Sequence, residues 1–136
     1  MNELQEAIEG VVDTEPRPAV VRFAQLMECK LRERDYKGGW GNCTLQYLAA
    51  GMTDEVVELV DAIDATLTDD GPTNLHAVIE EAVDVANYCM MLADVAQAQM
   101  RREERGEAGE SLGNRTVSGR EHALCQEPER GGRNAG

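Results

Sequence analysis

The stretch LQYLAAGMTDEVVELVDAIDATL, residues 45–67, decides the fold because its apolar residues recur every three or four positions. Thr44 in front of it is a good N-cap for a helix, and TDDGP at 68–72 ends the pattern. The apolar stripe passes through Gly51 without a break, so it predicts one helix rather than two, with Gly51 as the place for a bend. The stripe consists of Leu45, Leu48, Ala49, Met52, Val56, Leu59, Val60, Ile63 and Leu67.

An earlier helical pattern precedes this stretch, and a later one follows it. Pro18 can open the earlier helix, because proline is tolerated in a first helical turn, and apolar residues keep helical spacing as far as Leu31. The later helix is capped by Thr73 or Asn74 and continues to about residue 105.

The later helix is apolar around most of its circumference from Ile79 to Ala96, which is typical of a helix at the centre of a bundle. No run alternates between apolar and polar residues for long enough to make a convincing strand. The predicted class is therefore all-α, with the helices arranged as an antiparallel bundle.

The chain divides by composition into three parts. Residues 1–17 form a polar N-terminal lead with room for one turn of helix, and residues 18–104 form the helical domain. Residues 105–136 are rich in Gly, Glu and Arg and poor in large apolar side chains, so they are predicted to be a disordered tail without a catalytic role.

Charge restricts the classes of partner. The chain of 136 residues has a formal net charge of −13, which is the wrong sign for binding nucleic acid through its phosphates. A small anionic substrate remains compatible with this charge only if metal ions offset the repulsion. We therefore expect no nucleic-acid partner.

Cysteine spacing and hydropathy indicate the compartment. The four cysteines include no CxxC pair, so zinc-ligand spacing is absent, and a reducing cytoplasmic compartment is predicted. The N-terminus is acidic and lacks the layout of a signal peptide. The longest charge-free apolar run, residues 85–93, is about half the roughly 20 residues that a membrane span needs, so no membrane association is expected.

The acidic residues at 54–64 divide into two groups on a helical wheel. With Glu55 at the edge of the apolar stripe, Glu58 lies about 60° further round, whereas Asp54, Asp61 and Asp64 point well toward solvent. A solvated acidic face is the common use of such residues, and it explains the aspartates. The two glutamates border the core instead.

A second pair of acids repeats this geometry on the next helix. Asp84 falls about 60° from Glu81, and Tyr88 lies between them one turn on. This helix has little solvated face, and burying a lone carboxylate costs several kcal/mol or shifts its pKa strongly. A basic partner or a cation must compensate.

Basic partners are missing from both acidic helices, because no Lys or Arg occurs between Lys37 and Arg101. Four carboxylates without local counter-charge are an all-oxygen ligand set, which suits Mg²⁺ with Mn²⁺ as the alternative. A ferritin-like di-iron site would need histidines three residues after a glutamate, and neither His76 nor His122 has that spacing.

The segments DEVVEL at 54–59 and EEAVDVANYCMMLAD at 80–94 together resemble the MazG-like all-α nucleoside triphosphate pyrophosphohydrolases, whose signature is an E(E)xxE-L helix followed by an ExxD-V helix. The resemblance covers about residues 18–100. KGGW at 37–40 is similar to the small, largely phage-borne branch of dATP/dGTP pyrophosphohydrolases, the MazZ-like branch. A lysine-and-asparagine element that other branches carry after the second acidic helix has no clear match.

The resemblance implies Mg²⁺-dependent cleavage of a deoxynucleoside triphosphate, most closely dATP or dGTP, to the monophosphate and pyrophosphate. It places Glu55, Glu58, Glu81 and Asp84 on the metal-ligand positions. Either Glu55 or Glu58 would take the proton of the attacking water. The family implies a homo-oligomer, a dimer or tetramer, in the cytoplasm, which is the host cytoplasm for a phage-encoded chain.

Three residues outside the carboxylates are candidate substrate contacts. Lys37 is placed to reach a phosphate, or else is a solvated lysine in a flexible turn. Trp40 is placed to stack on the base, or else plugs the core where its loop packs down. Tyr88 is expected to face the substrate, because it shares the helical phase of Glu81.

Three alternatives remain open at the level of sequence. The same bundle could cleave dCTP or dUTP. The chain could be a non-enzymatic helical interaction protein whose acids are simply solvated. An iron or manganese carboxylate bundle is the third, and it would show colour or redox activity on metal loading.

Overall fold

The computed structural model describes residues 2–68 and 73–106. This part of the chain contains four α-helices: α1 (Glu3–Ile8), α2 (Pro18–Arg32), α3 (Leu45–Ala65) and α4 (Leu75–Glu104). A short 3₁₀ helix at Asp35–Lys37 lies between α2 and α3. No strand occurs within these two ranges, so the all-α prediction is confirmed for them.

Three helix starts lie where the sequence predicts them. Pro18 occupies the first turn of α2. The hydroxyl of Thr44 accepts a hydrogen bond of 3.1 Å from the main-chain N–H of Tyr47, which caps α3. Of the two predicted caps for α4 the structure uses Asn74, whose side-chain oxygen accepts a 3.1 Å hydrogen bond from the N–H of Ala77.

Helix α3 runs through Gly51 as one helix, as the unbroken stripe predicts. A basic pattern typical of the last turn of a helix continues in the sequence to Arg34, but α2 ends at Arg32, so Arg34 lies in the turn beyond the helix. This difference in the end of α2 matters for the site, because the turn carries Arg34 toward α4.

Helix α4 packs against both α2 and α3, which agrees with its predicted central position. Contacts between α3 and α4 run in opposite order along the two helices: Gly51 meets Tyr88, and Glu55 meets Asp84. The same order holds between α2 and α4, where Met27 meets Asn87 and Lys30 meets Asp84. Both pairs are therefore antiparallel, an arrangement compatible with the predicted helical bundle.

The apolar stripe of α3 is covered along only part of its length. Leu48 in the first half is 2% exposed, whereas Val56, Val60 and Ile63 in the second half are 39%, 48% and 43% exposed. The sequence pattern predicts that all of these side chains face apolar neighbours. Within the described residues of a single chain, Leu48 near the start of α3 is covered, whereas Val56, Val60 and Ile63 are open to solvent.

Cys29 and Cys89 are free thiols, but Cys43 is disulfide-bonded, which the prediction of a reducing compartment does not account for.

Among the described helices, none combines the length and the hydropathy required to cross a bilayer. The predicted disordered tail at 105–136 lies outside the described residues except for Arg105 and Gly106.

Candidate metal centre and adjoining cavity

Three carboxylates from two helices converge between α3 and α4. Glu55 comes from α3, and Glu81 and Asp84 come from α4, where they are nearly one turn apart. One carboxylate oxygen from each lies within 4.8 Å of the others, and all three side chains are partly buried. Antiparallel pairing of the helices produces this cluster, because it brings the core-bordering acid of α3 opposite the two on α4.

The pKa values of all three acids are raised, as expected for carboxyl groups crowded together and partly removed from water. Burial raises the pKa of Glu55 to about 7, and the negative charges of Asp84, Glu58 and Glu81 add to that effect. Burial also raises the pKa of Glu81, helped by the charges of Glu58 and Asp84. The three acids therefore lack enough positive charge around them to be stable when all are ionised.

Glu81 shows where a cation would fit. Its Oε2 atom is buried and has no hydrogen-bond partner among the described residues. A buried carboxylate oxygen without a partner is costly unless a cation coordinates it. The oxygens of Glu55, Glu81 and Asp84 form the all-oxygen set that hard divalent cations such as Mg²⁺ prefer. The residues present therefore fit a Mg²⁺ or Mn²⁺ ion.

Glu58, the fourth predicted ligand, is exposed and does not belong to the three-carboxylate group. It still lies close enough for its charge to raise the pKa of both Glu55 and Glu81. The remaining acids of the stretch, Asp54, Asp61 and Asp64, are exposed, as the helical wheel predicts.

The prediction that the acids have no basic partner is wrong for Asp84. The ammonium group of Lys30, on α2, lies 3.7 Å from Asp84 Oδ2. Burial raises the pKa of Asp84, while Lys30 and Arg34 oppose that rise. The sequence argument considered only the two acidic helices, whereas the bundle brings the basic end of α2 against the middle of α4.

A cavity adjoins the cluster, and Asp84 belongs to both. Its wall is formed by the C-terminal end of α2, the glycine-containing loop, the start of α3 and the middle of α4. Cationic and aromatic side chains share this wall: Lys30, Arg34, Lys37, Trp40, Tyr47 and Tyr88. The predicted contacts Lys37, Trp40 and Tyr88 are thus brought together around one space, although they come from different segments.

Trp40 is attached to α4 rather than free in its loop. Its indole N–H donates a 2.9 Å hydrogen bond to Asp94 Oδ2, and its side chain is half-buried in the cavity wall. This bond ties the loop to α4, and stacking of the ring on a base stays a prediction. Lys37 also lines the cavity and is partly buried, which argues against a fully solvated turn.

Tyr88 lines the cavity from α4, and its ring lies against Gly51 of α3. Burial raises the pKa of its hydroxyl, and the charge of Glu55 adds to this rise. A Cβ atom on Gly51 would meet the Tyr88 ring, so the glycine makes room for this side chain. The sequence argument treated Gly51 only as a place where α3 could bend.

Asn87 is a cavity residue that the sequence argument missed. It is 5% exposed, and its Nδ2 donates a 3.3 Å hydrogen bond to the main-chain carbonyl of Met27. Its Oδ1 has no partner within the described ranges. The available signal was an amide placed three residues after Asp84, inside the charge-free apolar run at 85–93.

Comparison with known proteins adds no assignment, since no family model matches the chain, and neither a curated protein nor a solved structure is similar to it.

Proposed function

We propose that this chain is a Mg²⁺-dependent nucleotide pyrophosphohydrolase that cleaves a deoxynucleoside triphosphate, dATP or dGTP, to the monophosphate and pyrophosphate. The observation that carries the proposal is the convergence of Glu55, Glu81 and Asp84 beside a cavity lined by cations and aromatic rings. A cluster of carboxylates alone is common on protein surfaces. Its position at the edge of a cationic and aromatic cavity supports a nucleotide.

The two ends of this site have complementary chemistry. A triphosphate carries several negative charges, which the carboxylates would repel and which a bound cation would offset. Lys30, Arg34 and Lys37 line the cavity next to Asp84 and supply direct phosphate contacts. This arrangement accounts for an anionic substrate on a chain whose net charge is −13.

Glu55, Glu81 and Asp84 would hold the ion. When bound, Mg²⁺ would neutralise phosphate charge and make water more acidic. Glu58 is our candidate for the proton acceptor, because it is exposed and close to Glu55 but lies outside the three-carboxylate group.

The nucleobase would occupy the aromatic part of the cavity. The cavity wall includes Trp40, Tyr47 and Tyr88, and stacking of a base on an aromatic ring is worth about 1–3 kcal/mol. Stacking is tolerant of base identity, so the purine preference rests on the resemblance in sequence rather than on these rings.

We further propose that the chain works as a homo-oligomer, a dimer or a tetramer. Support comes from the exposed half of the α3 stripe, which includes Val56, Val60 and Ile63. Apolar patches of this kind on a soluble chain are typical of interfaces. Light scattering coupled to size exclusion would measure the mass, and a monomer at micromolar concentration would contradict this part of the proposal.

A substrate panel with product identification tests the function. Purified protein would be incubated with Mg²⁺ and each of dATP, dGTP, dCTP, dTTP and dUTP, and the products would be separated by ion-exchange chromatography. We expect dAMP or dGMP with pyrophosphate. Dominant pyrimidine turnover would overturn the base assignment, and a diphosphate with inorganic phosphate would overturn the cleavage position.

Asp84→Asn and Asp61→Asn form a matched pair for this panel. Both remove one carboxylate charge from a helix, but Asp61 is exposed on the solvated side of α3. Turnover should disappear only in Asp84→Asn. An interaction protein without catalysis would show no Mg²⁺-dependent turnover in any of the three proteins.

A further inference from the structure

We infer that Lys30 is the built-in counter-charge of the metal-free site, and that it leaves Asp84 for an anionic group of the ligand when a divalent cation binds. This inference rests on the proposed metal site and assigns two successive partners, Asp84 and then the ligand, to a residue of α2 that lies outside both acidic helices.

The contact itself is mostly shielded from water. Lys30 Nζ lies 3.7 Å from Asp84 Oδ2, and the two side chains are 24% and 13% exposed. Exposed ion pairs of this length contribute little, but partly buried carboxylates need a partner. Among the described residues, Asp84 is the acid of the cluster that has such an ion pair, whereas Glu81 Oε2 has no partner.

A cation at the cluster competes directly with this ammonium group. Asp84 supplies one of the three oxygens that lie within 4.8 Å of one another, so an ion held there would stand next to Lys30. A divalent cation and an ammonium group at the same carboxylate repel each other. The ammonium group moves away, because it carries the lower charge and is attached to a flexible side chain. Lys30 is that group, because its ammonium ends a flexible four-carbon side chain.

The cavity gives Lys30 a second place to bind. Its side chain lines the cavity together with Arg34 and Lys37, on the side where a phosphate would meet the metal. A small movement of the ammonium group therefore exchanges a carboxylate oxygen for a phosphate oxygen. The same charge opposes metal binding before the ligand arrives and favours ligand binding afterwards.

This double role predicts effects of opposite sign for Lys30→Met, which keeps an unbranched side chain one atom shorter than lysine and removes its charge. We expect Mn²⁺ alone to bind about tenfold more tightly to Lys30→Met than to the parent chain. With Mn²⁺ saturating, we expect an α,β-imido dATP analogue to bind about tenfold more weakly. A purely structural role would weaken both.

Arg32→Met is the matched control. Arg32 lies on the same helix, is 72% exposed and pairs with Glu28 instead of facing the cavity. Free Mn²⁺ would be followed by electron paramagnetic resonance, and analogue binding by calorimetry. Arg32→Met should match the parent chain in both. Unchanged or weaker Mn²⁺ binding by Lys30→Met would overturn the inference, as would unchanged analogue binding.

A measurement on the unmodified chain covers the case in which Lys30→Met fails to fold. The chain has two lysines, Lys30 and Lys37, so ¹³C-lysine labelling gives two resolvable Cε signals, which Lys37→Arg assigns. Mg²⁺ alone should shift the Lys30 signal and leave Lys37 in place. A Lys30 signal that does not move under saturating Mg²⁺ would overturn the exchange.

These experiments also distinguish a failure of the inference about Lys30 from a failure of the proposed function. If the parent chain binds no Mn²⁺, both fail. If it binds Mn²⁺ and Lys30→Met behaves like the parent chain, the inference alone fails. If the Mn²⁺ and lysine results are as expected but no nucleotide is cleaved, the counter-charge role of Lys30 stands and the proposed reaction fails.

Discussion

Gly51 on α3 lies so close to Tyr88 on α4 that a Cβ atom at position 51 would stand 2.5 Å from Cε1 of the tyrosine ring. Carbon atoms that are not bonded to each other do not approach so closely, so any larger residue at position 51 must displace the ring. Tyr88 also lines the cavity, which links the packing of two helices to the shape of the candidate site.

The first prediction concerns Gly51→Ala. In an ordinary helix interior this change stabilises by about 1 kcal/mol, because glycine is a poor helix former. Here we expect destabilisation of about 1–2 kcal/mol, since the ring must leave its packed position. Urea unfolding measures the free energy, and nucleotide binding should weaken in parallel.

The double variant Gly51→Ala with Tyr88→Ala is the control for this contact. Once the ring is removed, the alanine should again stabilise the helix, which gives a coupling free energy of about 1–3 kcal/mol between the two positions. Additive effects would mean that the close approach has no energetic consequence.

The second prediction concerns the metal. Mg²⁺ at 100 times its dissociation constant should stabilise the parent chain by about 2.7 kcal/mol, because it binds the folded cluster and not the unfolded chain. Glu81→Gln and Asp84→Asn should lose most of this increase, whereas Asp61→Asn should keep it. Thermal unfolding with and without Mg²⁺ measures the effect, and a Tm that ignores Mg²⁺ in the parent chain would contradict the site.

The third prediction follows from the pKa of Glu55, which is raised from 4.5 to about 7 in the fold. Between those values Glu55 binds more protons in the folded chain than in the unfolded chain, so its contribution to metal-free stability is fully present below pH 4.5 and is lost as pH rises through 7. Because Glu55 is partly solvated, we expect a loss of about 1–2 kcal/mol rather than the full value of the shift.

Glu55→Gln should remove this part of the pH dependence, while Asp54→Asn, a neighbouring exposed acid, should leave it unchanged. The comparison uses the difference between urea-unfolding free energies at pH 4.5 and pH 8 without metal. If this difference is the same in the parent chain and in Glu55→Gln, the pKa of Glu55 is not raised in the fold. Mg²⁺ should offset the loss at pH 8 in the parent chain.

The fourth prediction uses Trp40, the single tryptophan of the chain. Its fluorescence should change when Mg²⁺ and a non-hydrolysable dATP analogue bind, since the ring lies in the cavity wall. Asp94→Ala removes the acceptor of the 2.9 Å indole hydrogen bond and should weaken analogue binding by about 1 kcal/mol. Asp61→Ala should leave analogue binding unchanged. If the Trp40 emission does not change when the analogue binds, the base binds away from this ring.

Local signals made the helices and the phase of the acids predictable. The caps at Thr44 and Asn74 act within one turn of chain, so side-chain chemistry and spacing were sufficient to predict them. The position of Glu55 beside the apolar residues of α3, and of Glu81 and Asp84 beside those of α4, likewise follows from 3.6 residues per turn. The structure brings these three side chains together.

The partners of those residues were not predictable in the same way. Glu58 belongs to the same sequence motif as Glu55, yet it is exposed in the bundle whereas Glu55 is partly buried. Lys30 is 54 residues from Asp84 in sequence, as is Trp40 from Asp94, and no local pattern links either pair.

The sequence by itself determined that the described part of the chain is helical, where α2, α3 and α4 begin, and that Glu55, Glu81 and Asp84 lie beside the apolar stripes, because these properties depend on neighbours within a few residues. Only the tertiary structure decided that Lys30 neutralises Asp84, that Gly51 makes room for Tyr88, and that the loop closes onto Asp94. Those outcomes depend on how α2 and α3 lie along α4, and packing between distant segments determines that register.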